Sequence, residues 1–203
     1  MIVPPSNMVV LASTSTTRRS ILENAGVVVE AVAPHVDEEE IKLAMTAEKA
    51  SGAEIAEVLA ERKAYSVSRQ RPHDLVVGAD QILEIDNKIF SKPVDLESAR
   101  EVLALLRGRE HRLLSCVCVV RNSQRLWHKL DIAELTMRDY SDEYLEAYLQ
   151  AVGDKALAGP GSYLIEGVGS QLFSKISGDH FTILGLPLIP LLDFLRVQGA
   201  LSS

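Results

Sequence analysis

Short apolar segments alternate with helical segments along this chain, and two pairs of the predicted strands are joined by hairpin turns. The predicted strands cover residues 8–12, 27–32, 75–79, 82–85, 88–90, 111–120 and 125–138, with two more short strands after the glycine-rich stretch 159–169. The predicted helices cover residues 16–25, 46–69, 95–107, 142–152 and 188–197, with Gly52 as a potential break in the second. Because helical crossovers occur beside hairpins, the pattern predicts an α/β fold with a mixed sheet flanked by helices.

Turn residues support these boundaries. The dipeptide Asp86-Asn87 predicts the first hairpin turn and Asn122-Ser-Gln124 the second, because asparagine and aspartate tolerate positive φ. Gly26 and Gly108 are predicted to end helices in the same left-handed conformation.

Composition and charge limit the class of protein. The chain fits one domain over residues 1–203, and no apolar run reaches the ~18 residues of a membrane span. A net charge of −7 argues against a nucleic-acid partner, which requires a concentrated basic patch. Cys116 and Cys118 lack metal-type spacing, and residues 1–7 lack the basic residues of a signal peptide. We therefore expect a cytoplasmic protein with no membrane segment.

The segment Leu11-Ala-Ser-Thr-Ser-Thr-Thr-Arg-Arg places five hydroxyls and two guanidiniums where a strand gives way to a helix. The unpaired amides of the first helical turn point to where Ser13, Ser15 and Arg18 add side-chain donors, which suits an anion. Arginine is suited to phosphate because its planar fork donates two parallel hydrogen bonds and keeps its charge. The alternative is an N-cap serine followed by two solvated arginines.

Two acidic positions are candidates for chemistry. Asp80 follows the buried strand 75–79, where rigid backbone holds its carboxylate, and it is the catalytic candidate; the alternative is an aspartate that only turns the chain. Glu38 lies in the acidic run 37–40, which is either a hard-cation site with Asp80 or a solvated turn. Mg²⁺ takes oxygen ligands, commonly one or two protein carboxylates together with substrate phosphate oxygens.

Other charged residues have weaker signals. Lys92 precedes a proline that restricts it to an extended backbone, and Lys63 is the helical lysine expected to turn inward. Glu166 lies among apolar and glycine residues, where a carboxylate needs partners or protonation. His111 and His180 lack companions at ligand spacing and are assigned to structure.

The segments LASTSTTRR, VDE, ERKA, GADQ, SKP, LRGREH, GSYLIEG and GDHFTILGLP occur in this order along nearly the whole chain. In their order and spacing they resemble the Maf family of nucleoside triphosphate pyrophosphatases, the septum-formation-like proteins. The resemblance implies a fold akin to the inosine triphosphatases, with an elongated mixed sheet and a central nucleotide cleft. It also implies a divalent cation, Mg²⁺ or Mn²⁺, and frequent homodimers.

The family's motifs imply roles for individual residues. Those implied to bind the triphosphate are Ser13, Arg18, Lys63 and Lys92. Asp80 is implied to be the general base, and Glu38 with Asp80 to hold the metal. The residues that fall where subfamilies differ in base choice are Thr17, Gln81 and Glu166.

The pair Gln81 and Glu166 is similar to the branch that acts on 7-methyl-GTP, although that branch often has tryptophan at the position of Thr17. The branch resembling dTTP and UTP pyrophosphatases typically has arginine there. We expect Glu166 to face the base, because a carboxylate accepts from the N1 and N2 donors of guanine and complements the charge of a 7-methylated ring.

The resemblance predicts hydrolysis of the α–β phosphoanhydride of a nucleoside triphosphate, giving a monophosphate and pyrophosphate. The expected substrate is 7-methyl-GTP, removed as a modified nucleotide. The alternatives are a dTTP or UTP pyrophosphatase, and a nucleotide-binding regulator of cell division that has no turnover.

Overall fold

The structure is a computed structural model that describes residues 9–202, so the segment 1–7 and the predicted strand start at Met8 lie outside the described residues. The strands within this range are β1 (Val9–Ala12), β2 (Val29–Val32), β3 (Leu75–Ile85), β4 (Lys88–Phe90), β5 (Glu110–Arg121), β6 (Gln124–Met137) and β7 (Phe173–Ser177). The α-helices are α1 (Thr16–Asn24), α2 (Glu38–Ala47), α3 (Gly52–Ser68), α4 (Leu96–Leu106), α5 (Asp142–Val152), α6 (His180–Ile183) and α7 (Leu188–Val197). Two 3₁₀ helices, Gly153–Ala158 and Val168–Leu172, lie between α5 and β7.

The described strands form one mixed sheet in the order β2, β1, β3, β5, β6, β7, with β4 paired to β3. Strand β1 is parallel to both β2 and β3, and its Val10 lies opposite Glu30 on one side and Val76 on the other. Strand β4 is antiparallel to β3, and β7 is antiparallel to β6. The predicted α/β fold with a mixed sheet flanked by helices is therefore confirmed.

Local side-chain chemistry sets many of the element boundaries. Ser15 N-caps α1 by accepting a hydrogen bond from the amide of Arg18, and Gly26 follows that helix with a φ of 80°. The two hairpin turns, Asp86-Asn87 and Asn122-Ser123, have positive φ at both central residues, which matches the twist of paired strands. These predicted boundaries are confirmed.

Three predicted elements differ from the structure. Strand β3 continues through Asp80, so this residue lies inside a strand and not at its end. The acidic run 37–40 begins helix α2, because Asp37 accepts from the amide of Glu40 and the other acidic residues favour the first helical turn. The second short strand predicted near the C-terminus is instead helix α6, N-capped by Asp179.

The predicted helix 46–69 is two helices, as the potential break at Gly52 suggested, but the first of them begins earlier than predicted. Helix α2 already begins at Glu38 and ends at Ala47, and a new helix follows a capping box made by Ser51 and Glu54. Gly52 is therefore the first residue of α3, where it interrupts no helical hydrogen bonds.

The described chain divides into two compact units. The first unit comprises residues 9–81, 114–131 and 179–202, and the second comprises residues 82–113 and 132–178. The single domain predicted for residues 1–203 stays a prediction. Within the described residues, no helix has the length and apolar character needed to cross a membrane.

The core of the first unit lies against one face of β1 and β3. Leu11 and Val77 from these strands pack with Leu22 of α1 and Leu191 of α7, and all four are fully buried. Side chains alternate along a strand, so the even-numbered residues of β3 face the opposite side, where α3 packs. The sheet thus carries apolar residues towards α1 and α7 and presents Asp80 towards α3.

The second unit has its own core. Tyr163 packs edge-to-face on Phe173 at 4.8 Å between ring centroids, and its hydroxyl lies 2.9 Å from Nε2 of the buried His111. The hydroxyl of buried Tyr140 donates to the carbonyl of Leu103 on α4 at 2.7 Å. His111 therefore serves packing in this unit, in agreement with its predicted structural role.

Candidate active site

Three charged side chains of the first unit meet at β3. The Nζ atom of Lys63, on α3, lies 2.6 Å from Oδ1 of Asp80 and 2.9 Å from Oε2 of Glu38, the first residue of α2. Asp80 and Lys63 are buried, with 4% and 5% of their surface exposed, whereas the Glu38 side chain is 40% exposed. Because Lys63 contacts both carboxylates, it holds Asp80 and Glu38 together, and removing Lys63 would leave the buried charge of Asp80 uncompensated.

The close approach of α3 to β3 brings Lys63 to Asp80. Gly78 lies two residues before Asp80 on the same face of the strand, and a Cβ there would lie 2.1 Å from the carbonyl oxygen of Ala60. The same atom would lie 2.8 Å from the nitrogen of Ala64. Lys63 lies between Ala60 and Ala64 in α3. The absence of a side chain at Gly78 lets α3 approach the strand, and this close approach positions Lys63 against β3.

Only one carboxylate oxygen of Asp80 has a hydrogen-bond donor within residues 9–202. Oδ1 accepts from Lys63, whereas Oδ2 is buried without a partner. Leaving a buried acceptor unsatisfied costs about 1–3 kcal/mol, and more for a charged group. An oxygen held at this cost is available to a ligand such as water or a cation.

Arg18 reaches the same strand from α1. Its Nε donates to the carbonyl of Gly185 at 2.9 Å, and its Nη1 donates to the carbonyl of Ala79, also at 2.9 Å. Burial lowers the pKa of the Arg18 guanidinium, and the negative charges of Asp80 and Glu38 oppose that effect. The guanidinium is thus anchored next to Asp80, with N–H groups left over for an anion.

The loop between β1 and α1 is ordered by its serines. Ser13 is 6% exposed, and its Oγ accepts from the amide of Ser15 at 3.1 Å. The Oγ of Ser15 in turn accepts from the amide of Arg18 at 3.3 Å. The N-cap interpretation of this segment is therefore correct for Ser15, but Arg18 is anchored to carbonyls and is not simply solvated. Thr17 is exposed on the first turn of α1.

Gln81 follows Asp80 in the strand and faces the other side of the sheet. Its Nε2 lies 3.0 Å from Oγ of Ser115, 3.1 Å from the carbonyl of Thr182 and 3.0 Å from the carbonyl of Ile183. The structure therefore brings Glu38, Lys63 and Asp80 together on one face, with Gln81 engaged on the other.

Sequence reasoning missed Ser115 and Thr182 as partners of Gln81. Both are fully buried, and the hydroxyl of Ser115 donates to the carbonyl of Thr182 at 2.8 Å. The available signal for Ser115 is that it is the only hydroxyl residue in the apolar run 113–120. A buried hydroxyl needs a partner, so such a residue indicates a hydrogen-bonded contact across the fold.

Two of the predicted site residues lie in the second unit. Lys92 is exposed after β4, beside Pro93 and Val94, with which it lines a groove of about 450 Å³. Glu166 is exposed in a turn that precedes the second 3₁₀ helix. The phosphate role of Lys92 and the base-choice role of Glu166 stay predictions.

The oxygen ligands in the first unit are suited to a hard divalent cation, but they are few. Asp80 offers Oδ2, which is unpartnered within the described part of the chain, and Glu38 offers a partly exposed carboxylate on the other side of Lys63. Within residues 9–202, no group of three or more His, Cys, Asp or Glu side chains converges as a metal site. Since Mg²⁺ commonly takes one or two carboxylates and completes its shell with phosphate oxygens and water, these residues fit a cation that binds together with a phosphate ligand.

Comparisons with known proteins agree with the motifs. The family model described as Maf-like protein matches residues 8–198. The chain is 49% identical over 191 residues to a nucleoside triphosphate pyrophosphatase of Paramagnetospirillum magneticum, covering 94% of this chain and 98% of the relative. It is 50% identical over 202 residues to a protein of the same description from Rhodospirillum rubrum, covering 100% of this chain and 98% of the relative. It is 47% identical over 195 residues to a 7-methyl-GTP pyrophosphatase of Mesorhizobium japonicum, covering 96% of this chain and 98% of the relative.

Proposed function

The chain belongs to the Maf family, and from that premise we propose that it is a nucleoside triphosphate pyrophosphatase. It hydrolyses the anhydride bond between the α and β phosphates and releases a nucleoside monophosphate and pyrophosphate. The observation that carries this proposal is the buried Oδ2 of Asp80, which has no hydrogen-bond partner among residues 9–202 and is held beside the cationic groups of Lys63 and Arg18. The descriptions of the similar proteins support the same activity.

The site residues of the first unit each have a chemical task in this reaction. Oδ2 of Asp80 accepts a proton from the attacking water, while Lys63 holds the carboxylate through Oδ1. Arg18 uses its remaining N–H groups to offset the charge that develops on the phosphate oxygens. Ser13 uses its oxygen to accept from a backbone amide, so its hydroxyl hydrogen is left to donate to a phosphate.

A divalent cation, Mg²⁺ or Mn²⁺, is part of the proposal, with Asp80 and Glu38 as its protein ligands. When bound, it supplies charge neutralisation for the phosphate oxygens. A cytoplasmic location, which the cysteine pattern favours, and a homodimer, which the family resemblance implies, also belong to the proposal.

For the substrate, we propose 7-methyl-GTP. Relatives from Mesorhizobium japonicum and Rhizobium meliloti, 47% and 43% identical to this chain, are described as 7-methyl-GTP pyrophosphatases. Glu166 lies on the surface, and the chemistry of a carboxylate suits the donors and the positive charge of 7-methylguanine. The same carboxylate would repel the carbonyl oxygens that flank the single imide donor of uracil or thymine.

The test is a panel of normal and methylated nucleoside triphosphates in Mg²⁺ buffer, with products identified by mass. We expect monophosphate and pyrophosphate, with 7-methyl-GTP giving the highest kcat/KM and Asp80→Asn losing about 10²–10⁴-fold in rate. Orthophosphate as the product, or wild-type turnover by Asp80→Asn, would contradict the proposed chemistry. A preference for UTP or dTTP would refute only the substrate, and binding without turnover would favour a regulator.

A further inference from the structure

The side-chain amide of Gln81 has only one orientation that its surroundings allow. Its nitrogen faces the carbonyl oxygens of Thr182 and Ile183 and the hydroxyl oxygen of Ser115. Ser115 uses its own hydrogen to donate to the carbonyl of Thr182, so it can only accept from Gln81. Because three acceptors would repel the amide oxygen, the nitrogen must point at α6. Both N–H groups of Gln81 are thereby committed to the protein.

The segment that Gln81 holds is the same segment that holds Arg18. The carbonyl of Thr182, which accepts from Gln81, also accepts from the amide of Gly185 at 3.0 Å. The carbonyl of Gly185 accepts from Nε of Arg18 at 2.9 Å. One peptide turn therefore connects the Gln81 amide to the Arg18 guanidinium.

Gly185 itself lies between the two side chains. It has a φ of +88°, and a Cβ built on it would lie 3.3 Å from Nη2 of Arg18 and 3.6 Å from Cδ of Gln81. A left-handed glycine with no side chain lets both groups reach the same short turn. A shift of this turn would move the carbonyl that orients Arg18.

The turn is tied down at several further points. The hydroxyl of Thr182 donates to Oδ2 of Asp131 at 2.9 Å, and the amide of Thr182 donates to Oδ1 of Asp179 at 3.1 Å. The bond to Asp131 fixes α6 relative to β6, the bond to Asp179 caps the start of α6, and Gln81 fixes α6 relative to β3. A four-residue helix has little stability of its own, so such tertiary bonds set its position.

We propose that Gln81 is a positioning residue: through the turn Thr182 to Gly185 it holds the Arg18 guanidinium in place for the polyphosphate of the substrate. This inference rests on the proposed function for the role of Arg18. It gives Gln81 a task that is independent of the nucleobase, in contrast to the base-choice role that the family resemblance implies.

The test uses inorganic tripolyphosphate as a probe, because it has no base. Its Kd in Mg²⁺ buffer is measured by calorimetry for the wild type, Gln81→Leu, Arg18→Ala and the double variant. We expect Gln81→Leu to weaken tripolyphosphate binding about tenfold when it is made in the wild-type protein. When it is made in Arg18→Ala, it should weaken binding less than about twofold, as for two residues that act as one unit. The exposed Gln150→Leu on α5, in the second unit, makes the same chemical change at a surface residue and should leave the Kd unchanged.

Turnover supplies the second readout. Gln81→Leu should lower kcat/KM by a similar factor for every triphosphate and leave the kcat/KM ratio of 7-methyl-GTP to UTP within about twofold of the wild type. A changed ratio with an unchanged tripolyphosphate Kd would overturn the proposal and assign Gln81 to the base. Equal weakening with and without Arg18, or no tripolyphosphate binding by the wild type, would also overturn it.

A third variant covers the case in which Gln81→Leu does not fold. Ser115→Ala removes one acceptor of the Gln81 amide and one donor to Thr182 while leaving Gln81 in place. It should weaken tripolyphosphate binding in the same direction but by a smaller factor, and an unchanged Kd would count against the proposal. If the binding pattern holds while the wild type hydrolyses no triphosphate, the proposed function fails and the positioning role stands.

Discussion

Replacing Gly78 by alanine tests whether the close packing of α3 on β3 creates the charged cluster. The added Cβ would lie 2.1 Å from the carbonyl oxygen of Ala60, where ordinary contact begins at 3.4 Å. The atom it meets is backbone, which cannot rotate away, so α3 must retreat by about 1.3 Å. A retreat of that size would take Nζ of Lys63, now 2.6 Å from Oδ1 of Asp80, out of hydrogen-bond reach.

The magnitude follows from two opposing effects. Overpacking a well-packed interior costs about 1–3 kcal/mol, whereas replacing glycine by alanine gains about 0.4–1 kcal/mol by restricting the unfolded chain. The contact with Ala60 puts the steric cost at the upper end, so we expect Gly78→Ala to lower the free energy of unfolding by about 2 kcal/mol. Misplacing a catalytic group by about 1 Å costs about 10²-fold in turnover.

The assay combines urea unfolding with turnover, and Gly159→Ala is the matched control. A Cβ at Gly159 meets nothing within 4 Å, and its φ of −133° suits alanine. The control should unfold at the same urea concentration as the wild type or slightly above it, with full activity. If Gly78→Ala matched this control in both measurements, the reasoning that α3 positions Lys63 through Gly78 would be refuted.

Two further predictions concern buried titratable groups. Burial lowers the pKa of His111 from 6.5 to about 4, so the unfolded chain binds more protons between these values and the free energy of unfolding should fall by about 3 kcal/mol as pH drops through them. The free energy of unfolding of His111→Gln, measured in urea, should depend less steeply on pH than that of the wild type. The control is His73→Gln at an exposed position, which should keep the wild-type slope; equal slopes for His111→Gln and the wild type would contradict the prediction. Burial raises the pKa of the Cys116 and Cys118 thiols to about 12, so a thiol reagent at pH 8 should label neither until the protein is unfolded, and rapid labelling of the folded protein would contradict it.

The elements predicted correctly are those whose ends are set by nearby side chains. Helix α1 is bounded by the cap at Ser15 and by Gly26, and Asp86-Asn87 adopts the turn conformation expected from its residue types. All of these signals act within a few residues, so a sequence pattern contains them. The mixed sheet follows from the same local evidence, because hairpins and crossovers can each be identified along the chain.

The predicted elements that are wrong lie where a polar side chain has its hydrogen-bond partner far away in the sequence. The polar pair Asp80 and Gln81 predicts a strand end, yet β3 continues because Lys63 binds the first from one face and α6 binds the second from the other. Lys63 is 17 residues from Asp80 and 25 residues from Glu38 in the chain, and no local period reveals that it lies between them. Motifs indicated which residues matter, and only the fold shows what each one contacts.

The charges of the first-unit cluster lead to one more prediction, on the role of the cation. Asp80 and Glu38 balance Lys63 and Arg18, so the cluster has no net positive charge to attract a polyphosphate. Without a bound cation, the Glu38 carboxylate repels phosphate. When a cation is bound, the same carboxylate is one of its ligands. Glu38→Gln should therefore tighten tripolyphosphate binding in EDTA and weaken it in Mg²⁺, as measured by calorimetry in both buffers. A change in the same direction in both buffers would mean that Glu38 holds no cation, and the cation would then have to bind through other groups.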